Sequence, residues 1–276
     1  MFEKAIRELE ASGSLVGRPH PFQECVPHLK GPAKRIAQHI SINSINDLHK
    51  DLQDSKCMVF RLGMPPGIRE THFALAKVNS DWSDYFFLDN IFEQCDLEEY
   101  LPSVSVSSLS AFKLLPTLTE TSYVNLALGS GLLPQALGIT STGGQTIPAT
   151  CQSTFTFDFQ PLSVSNCKLT HNRGQVEIDA LFVGQRDGKK CLFVVEAKSS
   201  KGYGSLAKHK LLYPILAVQK HIQSTMDIVP VYLRAIKKAE YIEFNIAECS
   251  LPIKNGVFGA LDQLEITKTT RHSLRY

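Results

Sequence analysis

Two short motifs carry most of the chemistry in this 276-residue chain, Glu177-Ile178-Asp179 and Glu196-Ala197-Lys198. The second ends an apolar run, Leu192-Phe193-Val194-Val195, and strand alternation sets Glu196 and Lys198 on one face with Ala197 on the other. A buried strand holds ionisable groups at a cost, so an acid and a lysine at this place point to a use beyond packing. The turn Asp187-Gly188-Lys189 lets the preceding strand set Asp179 beside Glu196. Two carboxylates and a backbone carbonyl, with water positions left open, form the oxygen set that Mg²⁺ prefers when it also grips phosphate oxygens. The plainer alternative, a surface ion pair between Glu196 and Lys198 on an edge strand, fits the apolar flanks poorly.

The elements around these motifs read as an α/β chain. Strands are expected at Gln175–Val183 and Lys190–Lys198, followed by a helix from about Ser205 to Gln223 and strands at Asp227–Leu233 and Tyr241–Ile246. Upstream, Thr117 or Thr119 caps a helix running to about Leu133 with Glu120 in its first turn. Ser141–Gln145 reads as a flexible link, and Thr154–Phe159 alternates as a strand. The first hundred residues combine a helix near 2–11, a helical pattern from Pro32 to about Gln53, and two strands, Cys57–Leu62 and Thr71–Val78, joined by Gly63-Met64-Pro65-Pro66-Gly67. A shift in composition between Asp96 and Ser108 suggests an N-terminal α+β module over 1–103 and a larger domain over 104–276.

Asp179 followed by Glu196-Ala197-Lys198 on the next strand resembles the PD-(D/E)xK nuclease superfamily. The order of acidic helix, Glu-Ile-Asp, Glu-Ala-Lys and Leu211-Leu212-Tyr213-Pro214 is similar to a group of bacterial restriction-endonuclease-like proteins. That resemblance covers roughly residues 115–235 and departs at Lys210, where the group carries Gln. It implies a restriction-endonuclease-like core with a central mixed β-sheet flanked by helices, and Mg²⁺-dependent hydrolysis of double-stranded DNA of the type II restriction kind. Mn²⁺ would be able to substitute for Mg²⁺. Asp179, Glu196 and the Ala197 carbonyl would hold the metal, Glu120 would reach it through water or hold a second ion, and Lys198 would orient the attacking water. A homodimer is implied because a palindromic site presents two equivalent strands. Other readings are a structure-specific or repair-type nuclease of the same fold, and a catalytically silent DNA-binding module.

Charge divides unevenly along the chain. Residues 1–167 hold 12 Lys and Arg against 17 Asp and Glu, whereas residues 168–276 hold 17 against 10. The basic excess of the C-terminal part suits a polyanion, with Arg173, Lys201, Lys208 and Lys210 as candidate phosphate contacts and His171 and His209 near them. From charge alone, a solvated basic face is the favoured reading. Seven cysteines, spaced sixteen residues or more apart, argue against a CxxC zinc site and for free, buried thiols in a reducing cytoplasm. No apolar run approaches a bilayer span, and no Walker loop, GxSxG elbow or GxGxxG fingerprint is present. A soluble cytoplasmic protein is the expectation, with P-loop and serine-hydrolase chemistry disfavoured.

Overall fold

A computed structural model describes residues 1–28, 38–140, 146–222, 225–254 and 257–275. Helix α1 (Glu3–Ser12) buries Ala5, Ile6 and Leu9 and stops at Gly13, whose φ of 65° supplies a left-handed cap. After β1 (His20–Pro21), the helix expected from Pro32 to about Gln53 is not continuous. Its residues 32–37 lie outside the described part, and the remainder holds a 3₁₀ turn at Ile45–Asp47 and the five-residue α2 (Lys50–Asp54). The Asp47 carboxylate accepts the amides of Asn43 and Ser44, so side chain-to-backbone bonds end the helix where apolar periodicity alone would carry it on.

The expected strand pair follows as β2 (Cys57–Gly63) and β3 (His72–Lys77), antiparallel. Then come β4 (Phe86–Leu88), β5 (Glu98–Tyr100) and α3 (Ser110–Lys113). Helix α4 (Glu120–Gly129) is capped by Thr119, whose hydroxyl accepts the Ser122 amide at 3.2 Å. The single helix expected up to Leu133 instead breaks at Gly131, with φ 86°, and restarts as α5 (Leu132–Ala136).

The larger part continues with β6 (Ala149–Phe159), β7 (Leu169–Arg186), β8 (Lys189–Ser200) and β9 (Ser205–Ala207). Helix α6 (Lys208–Val218) starts three residues later than its sequence pattern suggests, because Ser205–Ala207 pair with β4 instead of entering the helix. The chain closes with β10 (Asp227–Lys237), β11 (Ile242–Ser250), the short pair β12 (Ile253–Lys254) and β13 (Val257–Phe258), and β14 (Glu265–Leu274). The segment Ser141–Gln145 lies outside the described residues.

These strands form a mixed ten-stranded sheet in the order β1-β3-β2-β7-β8-β10-β11-β14-β5, with β6 added on β7. The protein is thus a mixed α/β fold with a large central sheet flanked by helices. Strands from the first hundred residues lie at both ends of this sheet, β2 meeting β7 through Gly63 and Asn172, and β5 running parallel to β14. Gly63 has φ 73°, and a Cβ there would fall 2.1 Å from the Asn172 carbonyl oxygen, so only glycine allows this approach. On β8, Phe193, Val195 and Ala197 join the core with α4 and α5, while Leu192 and Val194 pack with Ile215 of α6. Burial on both faces explains why this strand reads as a continuous apolar run. Among the described residues no helix is long and apolar enough to cross a membrane.

Candidate active site

The site lies where two strands part. β7 and β8 are antiparallel from the Arg186–Lys189 end as far as the Ala180–Val195 pair. Beyond it, β7 pairs with β6, whereas β8 continues parallel to β10 out to Ser200. Asp179 stands at this fork, and its Oδ2 accepts the Ala197 amide at 2.8 Å in place of a strand partner. A register shift opposite residues 178–181 gives β7 one residue more than β6. Across it the packing switches sides, Val176 and Ile178 joining one core and Ala180 and Phe182 the other. Such a bulge re-aims the side chains beside it, here at the acid.

Lys198 gathers the other groups. Its Nζ lies 2.8 Å from Glu196 Oε1 and 3.5 Å from Glu120 Oε2, and donates to the Ala197 carbonyl at 2.9 Å. Asp179, Glu196, Lys198 and Glu120, separate in sequence, are therefore neighbours in space. Thr119 fixes Glu120 by capping the helix that it begins. Glu177 is exposed and lines the same cleft.

Burial pushes the Glu196 carboxyl up to about 7, against the pull of Lys198 and with the help of the Asp179 charge. Burial works to lower Lys198, but Glu196, Glu120 and Asp179 outweigh it and hold the ammonium above its usual value. Glu196 should therefore weaken the metal-free protein as pH rises. Its folded-state pKa lies above the ordinary value, so its contribution is complete below about pH 4.5 and lost as pH passes about 7. The shift corresponds to roughly 3 kcal/mol. Urea unfolding in EDTA between pH 4.5 and 8 is expected to show Glu196→Gln gaining on the wild type by about that amount, and parallel curves would refute the assignment.

The donors present suit a hard cation. Glu196 Oε1, the Ala197 carbonyl and Glu120 Oε2 already converge on one positive charge, the Lys198 ammonium. Among the described residues no three Asp, Glu, His or Cys side chains form a cage of their own. A metal here would draw further ligands from water and substrate, as Mg²⁺ commonly does.

The cluster opens into a cleft of about 490 Å³, floored by β7, β8 and α6 and walled on another side by Ile40, Ser41 and Asn43. That wall is pinned by hydrogen bonds from the Ile45 amide to Ser205 Oγ and from the Ala207 amide to the Asn43 carbonyl. Of the candidate phosphate contacts, Lys210 lines this cleft, while Arg173 and Lys201 are exposed outside its lining. Lys208 corrects the sequence reading: it is buried, its Nζ donates to the Asp262 carbonyl at 2.9 Å, and it lies over the Phe87 ring, away from the cleft. His171, grouped in sequence with the candidate phosphate contacts, is inside β7 and buried, with Nδ1 3.1 Å from the Arg61 carbonyl. The expectation of buried thiols holds for Cys25, Cys57, Cys191 and Cys249, whereas Cys151 is exposed.

One network escaped the sequence reading. Arg234, adjacent to Lys198 across the β8–β10 pairing, lines the cleft and is buried against Asp89. Tyr232 Oη and the Gly204 amide also donate to Asp89, and Arg234 Nη1 donates to Ser200 Oγ. Its signal was the one that exposed Glu196, an ionisable residue within an apolar strand, Val231-Tyr232-Leu233-Arg234-Ala235-Ile236.

A family model described as a domain of unknown function (DUF6997) matches residues 89–252, more than half of the chain. The matched stretch runs from Asp89 past Arg234 and takes in Glu120, Asp179, Glu196 and Lys198. No curated protein and no solved structure matches the chain.

Proposed function

The chain belongs to the DUF6997 family, and we propose that it is a Mg²⁺-dependent endonuclease of the PD-(D/E)xK type that hydrolyses phosphodiester bonds in double-stranded DNA. The observation that carries this reading is the convergence of Glu196, Glu120 and the Ala197 carbonyl on Lys198 at the strand fork held by Asp179. A binding module gains nothing from acids set where phosphates must lie, because like charges repel. Hydrolysis does gain from them.

In this reading Asp179, Glu196 and the Ala197 carbonyl would hold Mg²⁺, and Glu120 would reach it through water or hold a second ion. When bound, the metal supplies Lewis-acid polarisation of a phosphate oxygen and a lowered pKa for its water. Lys198 orients the attacking water and faces the charge that builds on the phosphate oxygens. The water oxygen forms the new bond to phosphorus, one bridging P–O bond breaks, and the water proton passes to the leaving oxygen or to solvent. The restriction-endonuclease-like core, action at a specific sequence as a homodimer, and a cytoplasmic setting complete the proposal.

The test is incubation of the purified protein with plasmid and phage DNA in Mg²⁺ or EDTA, followed by gel electrophoresis. Discrete fragments that need Mg²⁺ are the expected result. Duplex left intact while branched or nicked DNA is cut would move the reading to a structure-specific nuclease. DNA that is retarded in EDTA and stays whole with metal would replace it with a silent binding module.

A further inference from the structure

The cleft is lined by two cations, Arg61 and Lys210, that form no ion pair among the described residues. Arg61 of β2 lines it, half-buried, and its Nε has no hydrogen-bond partner among the described residues. Among the described residues the guanidinium makes one long contact, Nη1 to Ser41 Oγ at 3.5 Å. Burial alone lowers its pKa, with no carboxylate opposing the effect. The stretches outside the described residues, 29–37, 141–145, 223–224, 255–256 and 276, contain no Asp or Glu side chain.

Lys210 faces the same cleft from α6, half-buried, with no hydrogen bond or ion pair to any described residue. It feels Glu196, Glu177 and Asp179 only through space, and burial outweighs them, lowering its pKa. Three further polar atoms of the cleft lining, His171 Nε2 on β7 and His209 Nδ1 and Tyr213 Oη one helical turn apart on α6, are buried without a partner among the described residues. Half-buried cations without a counter-ion are unfavourable, and a fold that keeps two of them in one groove favours a ligand that brings the missing negative charge.

We propose that Arg61 and Lys210 form a phosphate subsite beside the catalytic cluster, so that a strand in the cleft is held by one phosphate there while another meets Glu196 and Lys198. The planar guanidinium suits two phosphate oxygens at once, and the lysine adds a point charge. Arg61 lies outside the stretch that the family model matches, so this subsite gives the N-terminal strands a direct part in holding substrate. The anion chemistry stands on the cleft itself; that the phosphate belongs to DNA rests on the nuclease reading.

The experiment measures fluorescence anisotropy of a labelled oligonucleotide, with a 5′-phosphate or a 5′-hydroxyl, in EDTA over a range of salt, with inorganic phosphate as competitor. Wild type, Arg61→Met, Arg61→Lys and Lys210→Met are compared, with a melting curve for each. Arg61→Met is expected to weaken binding about tenfold and to flatten the salt dependence by about one ion, and Arg61→Lys to restore part of both. Its melting temperature is expected to hold or rise, since a half-buried charge without an ion-pair partner is removed, whereas a structural arginine would lower it. Loss confined to the 5′-phosphorylated strand identifies a terminal phosphate, and equal loss on both strands an internal diester. Unchanged affinity and salt dependence in Arg61→Met and Lys210→Met would overturn the subsite. If those variants keep full affinity while the wild type cuts DNA, the subsite fails and the nuclease reading stands; if they lose phosphate affinity while the wild type cuts nothing, the reverse holds.

Discussion

Lys198→Ala is expected to slow Mg²⁺-dependent DNA cleavage about 10²–10³-fold, the loss typical of removing one aligned charge from a developing oxyanion. Metal affinity should move the other way. The Lys198 ammonium occupies the oxygen set of Glu196 and the Ala197 carbonyl at 2.8 and 2.9 Å, so an incoming cation competes with it. Alanine vacates that place and leaves two neighbouring acids short of positive charge, which favours a divalent ion. Calorimetric titration with Mn²⁺ should therefore show equal or tighter binding by the variant, alongside single-turnover cleavage that is nearly abolished. Lost activity together with lost metal binding would mean that the lysine holds the site in shape and takes no direct part in the chemistry. Asp179→Asn separates the cases further, because the amide oxygen can still accept from the Ala197 amide while the carboxylate charge is gone.

What could be read in advance follows the physics of burial. β8 and β10 are covered on both faces, so their apolar runs stood out, and Glu196 and Lys198 stood out within one of them. Thr119 and Glu120 were visible because capping is a local interaction. What stayed hidden depends on distant partners. Ser205–Ala207 carry a helical pattern but pair with Phe86–Leu88, and no local preference records that. Ser41–Asp47 has apolar spacing fit for a helix, and the competition from Asp47 appears only once its backbone bonds are known. The bulge beside Asp179 depends on β6 running against β7, and the exposure of a lysine on α6 depends on which side of the helix the sheet covers. This is why Lys208 and Lys210, two positions apart and alike in sequence, divide between a buried backbone contact and the cleft.

Removing one member of the Asp89–Arg234 pair is expected to give the largest stability change in the molecule. Asp89 has 0% of its side chain exposed and Arg234 6%, with 2.5 Å between Oδ2 and Nε. Burial raises the Asp89 pKa, and Arg234, the Gly204 amide and Tyr232 act against that rise. Asp89→Leu would leave a guanidinium buried without its counter-charge, a loss of about 3–5 kcal/mol. Pairing Asp89→Leu with Arg234→Met removes the stranded charge, so the double variant should be more stable than Asp89→Leu alone, as read from urea midpoints. Equal losses in single and double variants would show that packing of the Asp89–Gln94 turn, and not the ion pair, sustains this region. The pair also bears on the site. Arg234 reaches both Ser200 at the end of β8 and the Ser205 carbonyl at the start of β9, bracketing the loop between Lys198 and α6. Arg234→Met in the Asp89→Leu background should then refold the sheet yet leave this loop less fixed, with cleavage falling more than DNA affinity.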